Sequence, residues 1–86
     1  MKLLGRNRLD KVKSVSASSK IWVNAWSTEV NTSIWKSIQD IKEQFPTVSS
    51  PANGMFIFKV DECNAFIETS IDFNELIVLV TAVKVL

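Results

Sequence analysis

The sequence predicts an α+β fold, with two or three N-terminal helices packed on a C-terminal antiparallel sheet of three to four strands, in a single domain covering residues 1–86. Three observations carry that expectation. Apolar residues in the first half recur at helical spacing, and those after Gly54 gather into β-rich runs. The runs are joined by short polar turns, which leave no room for the long crossovers of a parallel sheet. Of the 86 residues 47% are hydrophobic and 22% charged, a balance suited to one buried core rather than to a disordered segment.

The elements follow in order. Residues 1–5 suit a short strand ended by Gly5, although Leu3 and Leu4 are equally good helix formers. From Arg6 to Ser16 the apolar Leu9, Val12 and Val15 recur every three residues, with Arg6, Arg8, Lys11 and Lys13 on the other faces. That pattern predicts an amphipathic helix with a basic exposed side. The serine-rich stretch Ser14 to Ser19 breaks it and offers Ser18 or Ser19 as the N-cap of the next helix. There Ile21, Trp22, Ala25, Trp26, Glu29 and Val30 obey the i, i+3/i+4 rule. Trp22, Trp26 and Val30 are therefore expected on one core-facing stripe, with base stacking as the alternative role of the tryptophans. Asn31-Thr32-Ser33 interrupts this helix, and a short one follows from Ser37 to Gln44, with Ser37 and Asp40 at capping-box spacing. Pro46 stops it, and Thr47 to Gly54 reads as a loop.

Past Gly54 three runs, Met55 to Val60, Asn64 to Ile71 and Leu76 to Val83, are separated by Asp61-Glu62-Cys63 and Asp72-Phe73-Asn74-Glu75. In the middle run Ala65, Ile67, Thr69 and Ile71 alternate with Phe66, Glu68, Ser70 and Asp72, giving one apolar and one mixed face. The last run is apolar in both parities, as a strand covered on both sides or central in a sheet would be.

Composition excludes several chemistries. There is no histidine and a single cysteine, Cys63, so zinc sites, Cys–His pairs and Ser-His-Asp triads lack their ligands or bases, and no metal or cofactor is expected. One cysteine cannot form an internal disulfide; Cys63 reads as a small apolar filler, and a cytoplasmic setting is the default. Lys2, Arg6 and Arg8 interrupt any signal-peptide core, and Leu76 to Val83 is far short of the ~20 apolar residues of a spanning helix, so no membrane association is expected.

Charge is unevenly spread. Residues 1–20 carry six cations (Lys2, Arg6, Arg8, Lys11, Lys13, Lys20) against Asp10 alone, a net of +5. Residues 61–86 carry Lys84 against Asp61, Glu62, Glu68, Asp72 and Glu75, a net of −4. A basic front end can meet phosphates while the acidic back end faces a basic partner segment, because steering follows local fields rather than total charge.

The order of features resembles a known family. Trp22 and Trp26, then Trp35-Lys36-Ser37-Ile38-Gln39-Asp40-Ile41-Lys42, Phe45-Pro46, Phe56-Ile57-Phe58-Lys59-Val60 and Cys63-Asn64 resemble the HigB branch of the RelE-like toxins of type II toxin–antitoxin modules. That family carries a "W-x-x-x-x-D-I/V-K/R-x-x-F/Y-P" segment before its strands, and Gly5 to Lys11 is similar to its basic N-terminal stretch. The resemblance implies a RelE-like α+β fold that docks in the ribosomal decoding site, cleaves messenger RNA without a metal, and is silenced by a helix-turn-helix antitoxin. It also implies RNA contacts for Arg6, Arg8, Lys11, Lys13 and Asn64.

The departures fall where the chemistry belongs. At the family's "G-N-K-Y-R" turn this chain reads Cys63-Asn64-Ala65-Phe66-Ile67, keeping the Asn but losing lysine, tyrosine and arginine. Val83-Lys84-Val85-Leu86 stands about where the family's "T-H-x-E-Y-D" segment begins, so a C-terminally truncated member is expected. With neither histidine nor tyrosine in the chain, no catalytic residue is assigned. Three readings follow: a divergent nuclease using lysines such as Lys59 or Lys84, a toxin-family protein that keeps fold and partners with catalysis lost or weak, and a partner- or RNA-binding regulator unrelated to toxins. In the last, Phe56, Phe58 and Phe66 form an RNA platform, against which core packing is the simpler role. The second reading fits the residues best.

Overall fold

The computed structural model describes residues 1–61 and 63–86. Its elements are β1 (Lys2–Leu4), a 3-10 helix (Arg6–Leu9) running into α1 (Asp10–Lys13), α2 (Ala17–Thr32), α3 (Ile38–Gln44), β2 (Ser49–Ala52), β3 (Met55–Val60), β4 (Ala65–Asp72) and β5 (Ile77–Val85). The fold is α+β as expected. Its sheet has five strands rather than three or four, in the order β1-β5-β4-β3-β2. The sheet is mixed, because β1 pairs in parallel with β5 while the other pairs are antiparallel. The predicted turn at residues 61–63 includes Glu62, which lies outside the described residues.

The two edges are β1, the short strand expected in residues 1–5, and β2, which is added. β2, all four of whose residues are exposed, falls inside the predicted loop. Pro51 has no N–H to give to a ladder, which an edge strand tolerates and a central one does not. Gly5, at φ 77°, ends β1 and turns the chain into the 3-10 helix. A Cβ at this position would lie 2.6 Å from the Val80 carbonyl oxygen of β5, so the close approach needs glycine.

The basic N-terminal segment is shorter than one helix from Arg6 to Ser16. Leu9 and Val12 are fully buried, but the helix ends at Lys13 and Val15 is 45% exposed. Ser16, not Ser18 or Ser19, caps α2: its Oγ accepts from the Ser19 N–H at 3.0 Å. Helix α2 buries Ser19, Val23, Trp26, Ser27 and Val30: Trp26 and Val30 face the core as expected, while the rest of the stripe runs through Ser19, Val23 and Ser27 instead of Trp22. Trp22 is half-buried at the rim and Ile21 points outward. The two buried serines explain the difference, since small polar residues let the helix approach the sheet yet register as polar in a hydrophobicity pattern. The helix also continues through Asn31 and Thr32, and the Asn31 Oδ1 accepts from the Leu3 N–H at 3.2 Å, tying α2 to β1. In α3 the capping box is not formed. The Ser37 side chain makes no cap, and Asp40 instead accepts from the Lys36 backbone N–H at 2.8 Å.

Phe58 is the hub of the core. Trp26 and Phe45 meet it edge-on at 5.3 Å, and Trp35 stacks on it at 6.3 Å. The Trp35 indole N–H donates to Gln44 Oε1 at 3.1 Å, so the end of α3 is fixed to the same cluster. Phe56, Val60, Ala65, Ile67, Ile71, Val78 and Val80 complete the covered side of the sheet. Among the described residues no helix is long and apolar enough to cross a membrane.

Candidate nucleic-acid face

Helices lie on one side of the sheet only. Register defines what the other side displays: Lys59, Phe66 and Lys84 stand opposite one another across β3, β4 and β5, and the next row is Ile57, Glu68 and Ala82. A third row holds Met55, Ser70 and Leu79, which β1 extends with Leu4. Alternation along β4 delivers this arrangement, since Ala65, Ile67, Thr69 and Ile71 are buried while Phe66 and Glu68 are half-buried and Ser70 and Asp72 exposed.

In β5 the register shifts between the partners of Glu68 and Thr69, which face Ala82 and Val80 and leave Thr81 as the extra residue of a bulge. The Thr81 hydroxyl donates to the Glu68 carbonyl at 3.2 Å. Before the bulge even-numbered residues (Val78, Val80) face the core; after it the odd-numbered Val83 and Val85 do. The strand is interior to the sheet, between β1 and β4, as one of the two expected alternatives had it; the bulge moves its core-facing valines from even to odd positions, while Leu79, 39% exposed, lies on the open side. The same exchange brings Lys84 to the open side.

Lys84 Nζ lies 3.2 Å from Glu68 Oε2, with the lysine side chain 65% exposed and the glutamate 12%. The approach is close but off the line of a hydrogen bond, and Oε2 is enclosed without a hydrogen-bonding partner among the described residues. The chemistry of the face is therefore a phenylalanine ring between two lysines, with a sheltered carboxylate one row away. An aromatic surface beside cations stacks bases and holds phosphates. The only acid–base groups here are carboxylate and ammonium, with neither imidazole nor phenol in the chain.

The residues anticipated from sequence divide into two groups. Arg6 and Arg8 on the 3-10 helix and Lys11 on α1 are exposed on the helical layer, with Lys13 half-buried. Asn64 is exposed in the turn before β4, where its carbonyl accepts from the Leu86 N–H at 2.8 Å. No hydrogen bond or ion pair joins Asn64 to the N-terminal cations among the described residues. Phe56 and Phe58 are core residues, leaving Phe66 as the one member of that trio on the open face. The row uniting Lys59, Phe66 and Lys84 was not anticipated as a unit, because it depends on hairpin register and on the bulge. Counting equal distances back from the Asp61–Asn64 turn would have paired Lys59 with Phe66.

Among protein families, the HigB_toxin model, described as the RelE-like toxic component of a toxin-antitoxin system, matches residues 19–84. No curated protein matches the chain.

Proposed function

Because the chain belongs to the HigB toxin family, the RelE-like toxic component of a toxin-antitoxin system, we propose that it engages single-stranded RNA through the open face of its sheet, with catalysis lost or weak. The observation that carries this reading is the row Lys59–Phe66–Lys84. Family membership sets aside a regulator unrelated to toxins. The target is messenger RNA in the ribosomal decoding site, where Arg6, Arg8, Lys11 and Lys13 neutralise phosphates of ribosomal RNA and Asn64 contacts the message. The silencing partner is a helix-turn-helix antitoxin, and the setting is the cytoplasm.

Mechanistic economy supports weak catalysis. Cleavage through the 2′-hydroxyl needs a group to take its proton, a group to protonate the leaving oxygen, and cations facing the charge that develops. Lys84 is positioned beside Glu68, so part of its field is spent on a carboxylate instead of on phosphate. Without histidine or tyrosine, the face lacks the imidazole and phenol groups suited to protonating the leaving oxygen.

Titration of a labelled single-stranded RNA tests the binding half of the reading. Phe66→Ala should weaken binding about five- to a hundred-fold, as loss of one stacked base does. Lys59→Ala should weaken it less and lower its salt dependence. Binding unchanged in both variants would show that RNA does not use this face.

A further inference from the structure

The open face holds one group that phosphate binding does not use. Glu68 stands at its centre, two residues from Phe66 on the same strand and therefore about 7 Å along it. It is flanked in register by Ile57 and Ala82, which offer it no hydrogen bond. Its side chain is 12% exposed, and among the described residues its Oε2 has no hydrogen-bond partner, with the misaligned Lys84 3.2 Å away. A carboxylate is purely an acceptor, with room for several donors on its two oxygens. In a site for a polyanion it is unfavourable toward phosphate and favourable toward donors, which in RNA are the ribose 2′-hydroxyl and the donor groups of a base, and of these only the base donors differ with sequence.

From this juxtaposition we infer that the face selects guanine, with Glu68 as the selecting residue. This rests on the proposed RNA-binding role of the face. A base stacked on Phe66 with its Watson–Crick edge directed along β4 brings that edge to Glu68. Guanine presents two adjacent donors there, N1–H and the N2 amino group, which match the two carboxylate oxygens. Adenine and cytosine each present one amino group beside a ring-nitrogen acceptor, and uracil one N–H between two carbonyl oxygens; in each an acceptor opposes the carboxylate. The phosphates then run toward Lys59 and Lys84 on the flanking strands. Lys84 is the solvent-facing part of the arrangement, being 65% exposed. As its ammonium turns to a phosphate it uncovers the carboxylate for the base, so backbone binding and base reading are coupled.

The test uses two labelled hexaribonucleotides, all-adenosine and the same strand with one central guanine, titrated at one fixed salt concentration. The wild-type chain should prefer the guanine strand by about five- to a hundred-fold, the range of a bidentate side-chain–base contact. Inosine, which lacks the N2 amino group, should fall between. In Glu68→Gln the preference should collapse to within about threefold, while affinity for the all-adenosine strand stays equal or rises because Lys84 is released. A merely structural role for Glu68 would weaken both strands together, and thermal unfolding of the variant checks its fold. Equal affinity of the wild type for the two strands, or a guanine preference surviving in Glu68→Gln, overturns the inference and leaves RNA binding standing. Failure of the wild type to bind either strand overturns both.

Discussion

The two faces of the central three strands are built on the same backbone, yet they relate to the family in opposite ways. The covered face and the helices on it use the residues that carry the resemblance: Trp26, Trp35, Ile41, Phe45, Phe56 and Phe58 form or border the core. The open face carries the departure at Phe66, where the family turn has tyrosine, with a Glu68–Lys84 contact beside it, while the lost lysine and arginine of that turn fall at Ala65 and Ile67, which are buried on the covered face. The motif by which the family is recognised is thus mainly a packing motif. A chain can satisfy it completely while its chemistry drifts, since fold and function rest on different residues.

If that division holds, substitutions on the two faces should differ in kind, and the largest effect belongs to the hub. Phe58→Ala, or Trp26→Ala beside it, should cost about 3–5 kcal/mol in denaturant unfolding, as deletion of a large buried aromatic does. A loss below about 1 kcal/mol would mean that the motif is not principally structural. Next is Gly5→Ala, which forces a non-glycine residue into the left-handed region and sets its Cβ against the Val80 carbonyl. The backbone conformation alone should cost about 1–2 kcal/mol, read as a lowered unfolding midpoint without loss of secondary structure.

On the open face the order reverses. Phe66→Ala should change stability by about 1 kcal/mol or less, as substitutions outside the core do, while removing much of the RNA affinity. A large stability loss would sink the comparison by making Phe66 a core residue. Smallest is the coupling between Glu68 and Lys84: a double-mutant cycle should give about 0.2–1 kcal/mol, falling with added salt, because the lysine is mostly in water. A coupling of several kcal/mol would show the pair to be a structural element.

The sequence made the helical half and the three long strands legible because their periodicities are strong and uninterrupted. Other features depend on partners far away in the chain. The short strand expected in residues 1–5 takes its parallel direction from β5, and β2 is a strand despite Ser49, Ser50 and Pro51 because β3 supplies a ladder. Trp26 and Val30 were legible as the core stripe of α2, but Ser19 and Ser27, buried beside them, carry no hydrophobic signal. The site was legible as residue types, with Lys59, Phe66 and Lys84 each noticed separately, but not as a row. Pairing Phe66 with Lys84 requires the bulge at Thr81, and no local signal in Val80-Thr81-Ala82 marks it.

The central claim, that this chain keeps the toxin-family scaffold and an RNA face while its acid–base machinery is gone or feeble, is tested most directly in a ribosome-containing translation reaction. The purified chain is added with a messenger RNA whose 5′ ends are mapped. The account predicts intact transcripts and messenger RNA retained by the wild type but released by Phe66→Ala. Cleavage linked to codon position, lost in Lys84→Ala or Glu68→Gln, would contradict it and assign those two groups the proton transfers.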